Sequence, residues 1–194
     1  MKKLLILLFL LNLITGNSHS IEPDVFVQST VNRASQILSK NISKEEKINE
    51  LRSIASETVD IKGVGFYSLG SARKVLDDKQ KEQFFELFEN YFLKSFSSRL
   101  SEYSNPKIDV QDKDVLNKNY TIVKSVLVAT SDRPEIKIDW RIYTKNPDNP
   151  LIRDLIIEGL SLARTQKEEF ASILNSNDGD INALYEALEK FANN

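Results

Sequence analysis

The sequence predicts an α+β fold in which helices cover one face of a curved antiparallel sheet of four strands. Apolar residues recur at helical spacing before Pro106, alternate with polar residues over residues 107–158, and return to helical spacing after Gly159. The segment 84–103 also holds seven of the 17 aromatic residues, and most of these follow one another at steps of three and four. We therefore expect one domain over residues 21–194, organised around a long aromatic helix.

The first 20 residues have the features of a secretory signal peptide. Lys2 and Lys3 precede an apolar run over residues 4–14, and small residues that suit a cleavage site follow up to Ser20. This apolar run is too short to cross a membrane as a helix. We expect an exported protein that is cleaved near Ser20, and an uncleaved N-terminal anchor is the alternative.

The composition of the predicted mature chain argues against several functions. Removing residues 1–20 leaves 24 basic and 28 acidic residues, and the resulting net charge of −4 argues against nucleic acid as a partner. The only histidine, His19, leaves with the signal peptide, and the sequence has no cysteine. We therefore expect no disulfide, no metal, no cofactor, and no Cys or His catalytic group.

Two helices are predicted at the start of the mature chain. The first covers residues 23–40 and has Pro23 in its first turn, where proline is tolerated. The second covers residues 43–59, and Ser43 followed by Glu46 matches a capping box at its start.

The glycine-rich segment 63–70 is interpreted as a short helix that Gly70 stops. A phosphate-binding loop is not expected there, because the segment lacks a preceding strand and a Gly-Lys-Ser/Thr ending. The aromatic helix follows, beginning at Asp77 or Asp78 and ending before Pro106.

Strands and two further helices are predicted after Pro106. The clearest strand contains Ile136, Ile138, Trp140 and Ile142, which alternate strictly with polar residues. The four predicted strands cover residues 107–115, 120–130, 135–143 and 151–158. The two predicted helices run from Leu160 to about residue 177 and over residues 181–191.

Catalysis in this chain would have to use carboxylates, lysine, serine or tyrosine. Asp154 and Glu158 share one face of a predicted strand, but strand geometry separates them by about 13 Å, too far for the carboxylates of a glycosidase. An isomerase or dehydratase that uses Asp139, Asp154 and Tyr143 stays as an alternative, as does an adaptor with a solid core. We predict no catalytic residues and no enzymatic activity.

Several motifs, in their order and spacing over residues 25–190, resemble the MlaC family. Those in the first half of the chain are Leu69-Gly70, Gln80, Phe84, Phe88, Tyr91 and Tyr103. Those in the second half are Pro134, Ile136, Ile138, Asp139, Trp140, Asp154, the run Glu158-Gly159-Leu160-Ser161-Leu162, and Phe170.

The resemblance implies an NTF2-like fold whose helices and curved sheet enclose an apolar cavity for lipid acyl tails. It also implies a periplasmic carrier that moves phospholipid between an outer-membrane lipoprotein complex and an inner-membrane ABC transporter complex, and so supports outer-membrane lipid asymmetry. A hopanoid or isoprenoid carrier on the same fold is the alternative. We further expect a monomer that does not insert stably into a membrane.

The resemblance also indicates which side chains line the cavity. The expected lipid-binding residues are Val64, Phe66, Tyr67, Leu69, Phe88, Phe92, Val126, Val128, Ile138, Trp140, Ile142, Leu155, Leu160 and Leu162. We expect Phe88 and Phe92 to face a lipid tail. At the other end of the aromatic stripe, we expect ordinary core residues at Phe96, Leu100 and Tyr103.

Overall fold

The structure, a computed structural model, describes residues 20–103 and 106–193, so residues 1–19 of the predicted signal peptide lie outside it. Its α-helices are Pro23–Ser39 (α1), Lys44–Thr58 (α2), Ile61–Ser68 (α3), Asp78–Leu100 (α4), Leu162–Asn175 (α5) and Ile181–Asn193 (α6). Its strands are Ile108–Asn117 (β1), Tyr120–Leu127 (β2), Ile136–Tyr143 (β3), Leu151–Ile157 (β4) and Leu160–Ser161 (β5). This order of helices, strands and helices confirms the predicted α+β class.

Each strand pairs antiparallel with the next one along the chain, so the sheet is a meander with the order β1-β2-β3-β4-β5. Strands β1 to β4 lie where the alternating pattern predicts them. The sequence does not predict β5, because a strand of two residues shows no readable alternation. Strand β5 forms a hairpin with β4 across Glu158 and Gly159, whose φ angles of 49° and 84° are typical of a tight two-residue turn.

The helices cover one face of the sheet. On β3, the side chains of Ile138, Trp140 and Ile142 are buried, whereas those of Lys137 and Arg141 are exposed. This alternation places the apolar side chains of the strand against the helices.

The centre of the core is a cluster of phenylalanine rings. Phe84 and Phe88 of α4 are fully buried and stack at 5.6 Å, and the ring of Phe170 from α5 lies edge-on to both at 6.1 Å. Helix α3 packs its backbone on the Phe88 ring, so closely that a Cβ at Gly65 would lie only 2.7 Å from the ring. The aromatic helix therefore determines where α3 and α5 lie.

Helix α4 begins as predicted, with Asp77 as its N-cap. The Asp77 carboxylate accepts a hydrogen bond from the Gln80 backbone at 2.8 Å, and the Gln80 side chain accepts one from the Asp77 backbone at 3.0 Å. The helix ends at Leu100, before the predicted limit at Pro106, and Tyr103 is 37% exposed rather than core. In the part of the chain that the structure describes, no helix, α4 included, is long and apolar enough to cross a membrane.

A buried carboxylate holds the corner between the sheet and α5. Asp154 of β4 accepts a hydrogen bond from the Ser161 hydroxyl at 2.6 Å and another from the Ala163 backbone N–H at 3.0 Å. The Ser161 hydroxyl in turn accepts one from the Arg164 backbone N–H at 3.1 Å, which caps α5. Asp154 therefore satisfies backbone and side-chain donors at the point where α5 begins.

We expect Asp77→Ala to lower the free energy of unfolding by about 1 kcal/mol, because it removes the N-cap of the longest described helix. Denaturant titration followed by circular dichroism measures this change. The matched control is Asp78→Ala, since Asp78 is exposed and only makes a 3.5 Å ion pair with Lys81. Equal losses in the two variants would contradict the role of the cap.

We expect Asp154→Ala to lower the free energy of unfolding by about 3 kcal/mol, because two hydrogen bonds to a buried charge are lost. Asp139→Ala is the control, since Asp139 lies half-buried on the neighbouring strand. Its expected loss is below about 0.5 kcal/mol. If the two variants unfold at the same denaturant concentration, the structural role assigned to Asp154 is wrong.

Candidate functional site

A mostly apolar cavity of about 220 Å³, called the first cavity below, lies between α4, the sheet and α5. Helix α4 supplies one wall, β3 and β4 supply the second, and the start of α5 supplies the third. The lining residues are Val59, Val64, Phe88, Tyr91, Phe92, Ser95, Phe96, Arg99, Trp140, Ile152, Arg153, Asp154, Leu155, Leu162, Ala163, Thr165, Gln166 and Glu169.

The wall from α4 is the continuation of the aromatic stripe. The Phe88 and Phe92 rings are 6.0 Å apart, and the Phe92 and Phe96 rings stack at 5.7 Å. Phe96 therefore lies on the wall of the first cavity, and the expectation that it is ordinary core is wrong. The reason is geometric, since steps of four keep successive side chains on one face of a helix.

The wall from the sheet presents apolar atoms because its polar groups are satisfied elsewhere. The indole N–H of Trp140 donates a hydrogen bond to the Ser125 hydroxyl at 2.8 Å, and that hydroxyl donates to the Ile138 carbonyl at 3.0 Å. With its only donor paired, Trp140 offers the rest of its ring to the first cavity.

A β-bulge shapes the same wall. Arg141 pairs with Asp154 and Ile142 pairs with Ile152, which leaves Arg153 of β4 without a partner on β3. The four consecutive residues 152–155 all line the first cavity, although successive side chains of a regular strand point to opposite faces. The bulge thus directs Arg153 to the same side as its neighbours.

One edge of the first cavity is polar. The Tyr91 hydroxyl donates to the Gln166 side-chain oxygen at 2.7 Å, and the Gln166 amide donates to the Glu169 carboxylate at 3.0 Å. Burial raises the pKa of the Tyr91 phenol, and the negative charge of Glu169 raises it further. Tyr91 is therefore a neutral hydrogen-bond donor at neutral pH, and it connects α4 to α5.

A second cavity of about 470 Å³ adjoins the first. The two share three lining residues, Arg153, Asp154 and Ala163. The other lining residues of the second cavity are Gly63, Phe66, Tyr67, Arg73, Leu116, Asn117, Tyr120 and Arg141. Several of these are exposed, so the second cavity opens to solvent.

Arg153 lies between the two cavities and is held on several sides. Its Nε donates to Oδ2 of Asp60 at 2.6 Å, and its Nη2 forms an ion pair with the same oxygen at 2.6 Å. Its Nη1 donates to the Tyr120 hydroxyl at 2.6 Å. Its guanidinium carbon lies 3.7 Å from the centre of the Tyr143 ring. Burial alone would lower the pKa of Arg153, but its hydrogen bonds to Asp60 and Tyr120 raise it overall, so the group stays charged.

The same ion pair connects α3 to the sheet. Asp60 is the N-cap of α3, because its Oδ1 accepts a hydrogen bond from the Gly63 backbone at 2.9 Å. The Asp60 backbone N–H also donates to the Ile152 carbonyl of β4 at 2.9 Å. Arg153 and Asp60 therefore fix the start of α3 against β4.

The residues expected to bind lipid fall into four groups. Those on the first cavity are Val64, Phe88, Phe92, Trp140, Leu155 and Leu162, and those on the second are Phe66 and Tyr67. Those buried in the core away from both cavities are Leu69, Val126, Ile138 and Ile142. The remaining two line neither cavity, since Val128 is half-buried just after β2 and Leu160 is 59% exposed.

Sequence reasoning missed part of the lining. The helical steps that include Phe88 and Phe92 also include Tyr91, Ser95 and Arg99, so that spacing could have identified them. On α5, Thr165 and Gln166 are polar residues of a helix that looks solvent-exposed, and no signal in the sequence marks them.

The carboxylates considered for catalysis do not come together. Asp154 lines both cavities, but each of its oxygens accepts a hydrogen bond. Glu158 lies in the β4–β5 turn, where its carboxylate accepts a hydrogen bond from the Lys137 backbone, so it does not share a strand face with Asp154 as expected. Asp139 lines neither cavity, and Tyr143 stacks on Arg153.

Comparisons with known proteins agree with this architecture. The intermembrane phospholipid transport system binding protein MlaC of Haemophilus influenzae is 24% identical over 161 residues, which cover 79% of this chain and 75% of that protein. A solved structure of the phospholipid-binding protein from Ralstonia solanacearum, in complex with a phospholipid, has a TM-score of 0.74 and 16% identity. The superposition covers 89% of this chain and 97% of that one, and it shows a shared fold.

The family model described as MlaC protein matches residues 28–190, from α1 to α6. The match includes all five strands and every helix that lines the first cavity. The chain belongs to the MlaC family.

Proposed function

We propose that this protein is a periplasmic lipid carrier that holds the acyl tails of a phospholipid against the aromatic face of α4. The observation that carries the proposal is the first cavity, which Phe88, Phe92 and Phe96 wall on one side and Trp140 walls on the other. Two relatives support the choice of ligand, since both are described as phospholipid-binding or phospholipid-transport proteins.

The energy of burying acyl tails explains why a carrier needs such a wall. Each buried methylene contributes about 0.8 kcal/mol, so two ordinary acyl chains represent roughly 20 kcal/mol or more. Leaving a membrane costs about as much as entering the protein gains, so exchange is close to neutral. Direction then has to come from partners, which we propose are an outer-membrane lipoprotein complex and an inner-membrane ABC transporter complex.

The size of the first cavity limits how a lipid enters. Its volume of about 220 Å³ is below the ~300–1,000 Å³ typical of pockets for drug-sized ligands. A two-chain lipid therefore needs the walls to part, or it needs the second cavity as well. The two cavities meet at Arg153, Asp154 and Ala163, which makes joint use feasible.

The test is to identify what the protein carries when it is purified from its host. Native mass spectrometry should show the mass of one bound two-chain lipid, and organic extraction should release a glycerophospholipid. Extraction of a hopanoid or isoprenoid would support the alternative carrier. Repeated absence of any lipid would overturn the proposal.

We expect Phe92→Asp and Trp140→Asp to abolish lipid retention, because either variant places a charge in the apolar wall of the first cavity. Native mass spectrometry measures the bound fraction. Val75→Asp is the matched control, since Val75 is 82% exposed and lines neither cavity.

The folding of each variant must be checked by thermal unfolding followed by circular dichroism. Trp140 is buried, so Trp140→Asp could lose lipid simply because it does not fold. Phe92 is only half-buried, so its variant provides the cleaner result. A folded Phe92→Asp variant that retains lipid like the control would show that this wall does not hold the tails.

A further inference from the structure

The second cavity is lined by two arginines that form no ion pair with a described carboxylate. Its charged lining residues are Arg73, Arg141, Arg153 and Asp154. Arg153 is neutralised by Asp60, as described above. Among the described residues, no carboxylate lies within 4.0 Å of the guanidinium of Arg73 or Arg141. Arg73 instead lies 5.0 Å above the Phe66 ring.

The charge balance of the second cavity matches a monoanion. Asp154 offsets one guanidinium, and it is the register partner of Arg141 on the neighbouring strand. The cavity is therefore left with one unit of positive charge. A phosphodiester carries one negative charge, and its oxygens suit the planar set of donors that an arginine presents.

The position of the second cavity suits a head group. It adjoins the first cavity at Arg153, Asp154 and Ala163, and it opens to solvent beside the exposed side chains of Phe66 and Tyr67. A glycerophospholipid has the same order of parts, with apolar tails, a glycerol junction and a phosphodiester that stays hydrated.

We propose that Arg73 and Arg141 bind the phosphodiester of the glycerophospholipid whose tails lie in the first cavity. This assignment rests on the proposed function, and it adds the chemical group that the protein recognises in its cargo. Arg153 has a different role, because Asp60 neutralises its charge and the Tyr120 hydroxyl accepts one of its hydrogen bonds. It is a positioning residue that holds α3, and with it Phe66 and Tyr67, beside the second cavity.

The test is a competition between two lipids with identical acyl chains. The full mature protein is incubated with vesicles that contain phosphatidylglycerol and diacylglycerol in equal amounts, and native mass spectrometry then counts each bound lipid. The wild-type protein should prefer phosphatidylglycerol. The variant Arg73→Gln/Arg141→Gln should lose this preference by about tenfold or more, because hydrogen bonds to charged groups are removed.

The control variant is Arg33→Gln/Lys190→Gln, which removes the same amount of charge from residues that line neither cavity. It should keep the wild-type preference. If the double arginine variant still binds lipid and keeps the preference too, the head-group assignment is overturned while the carrier function stands. If the wild-type protein takes up neither lipid, the carrier function fails and this assignment fails with it.

Free inorganic phosphate offers arginine the same anionic oxygens as a lipid phosphodiester. A separate measurement distinguishes these two ligands. Isothermal titration of inorganic phosphate into the lipid-loaded protein should give no heat, because the lipid phosphodiester already occupies the arginines. Binding of phosphate to the loaded wild-type protein but not to Arg73→Gln/Arg141→Gln would assign the second cavity to free phosphate and overturn the head-group assignment.

Discussion

The structure depends on one constraint, which is that the aromatic stripe of α4 serves two environments at once. At its N-terminal end, Phe84 and Phe88 are fully buried against Phe170 and the backbone of α3. Further along, Phe92 and Phe96 face the first cavity. Close packing at the N-terminal end fixes the position of the helix. Phe92 and Phe96 are therefore held in place although space remains beside them. A rigid core thus supports an apolar wall.

The β-bulge at Arg153 is the second device on which the site depends. A regular strand would direct Arg153 away from its neighbours, whereas the bulge brings it to the boundary between the two cavities. There the arginine pairs with the N-cap of α3 and stacks on Tyr143. A local irregularity in β4 therefore positions a helix that contributes to both cavities.

Membership of the MlaC family explains the architecture of this protein, and the geometry of its cavities indicates what kind of ligand it binds. The family match covers residues 28–190, which include all five strands and α2 to α5, and accounts for this architecture. The cavities and their charges belong to this chain, and they show an apolar space beside a cationic one. An amphiphilic ligand with one negative charge would meet both conditions, which is why we propose lipid carriage rather than catalysis by Asp154.

The sequence by itself determined the α+β class, the starts of α2 and α4, and the buried face of β3, because these follow from periodicity and capping within a few residues. It also identified Phe88, Phe92 and Trp140 as neighbours of a cavity through the family resemblance. Tertiary structure alone decided that Ile138 and Ile142 are solid core, that Phe96 is wall, and that Arg73 and Arg141 share a cavity. A cavity is space between elements that are distant in the chain, and an apolar residue beside it has the same pattern as one in the core.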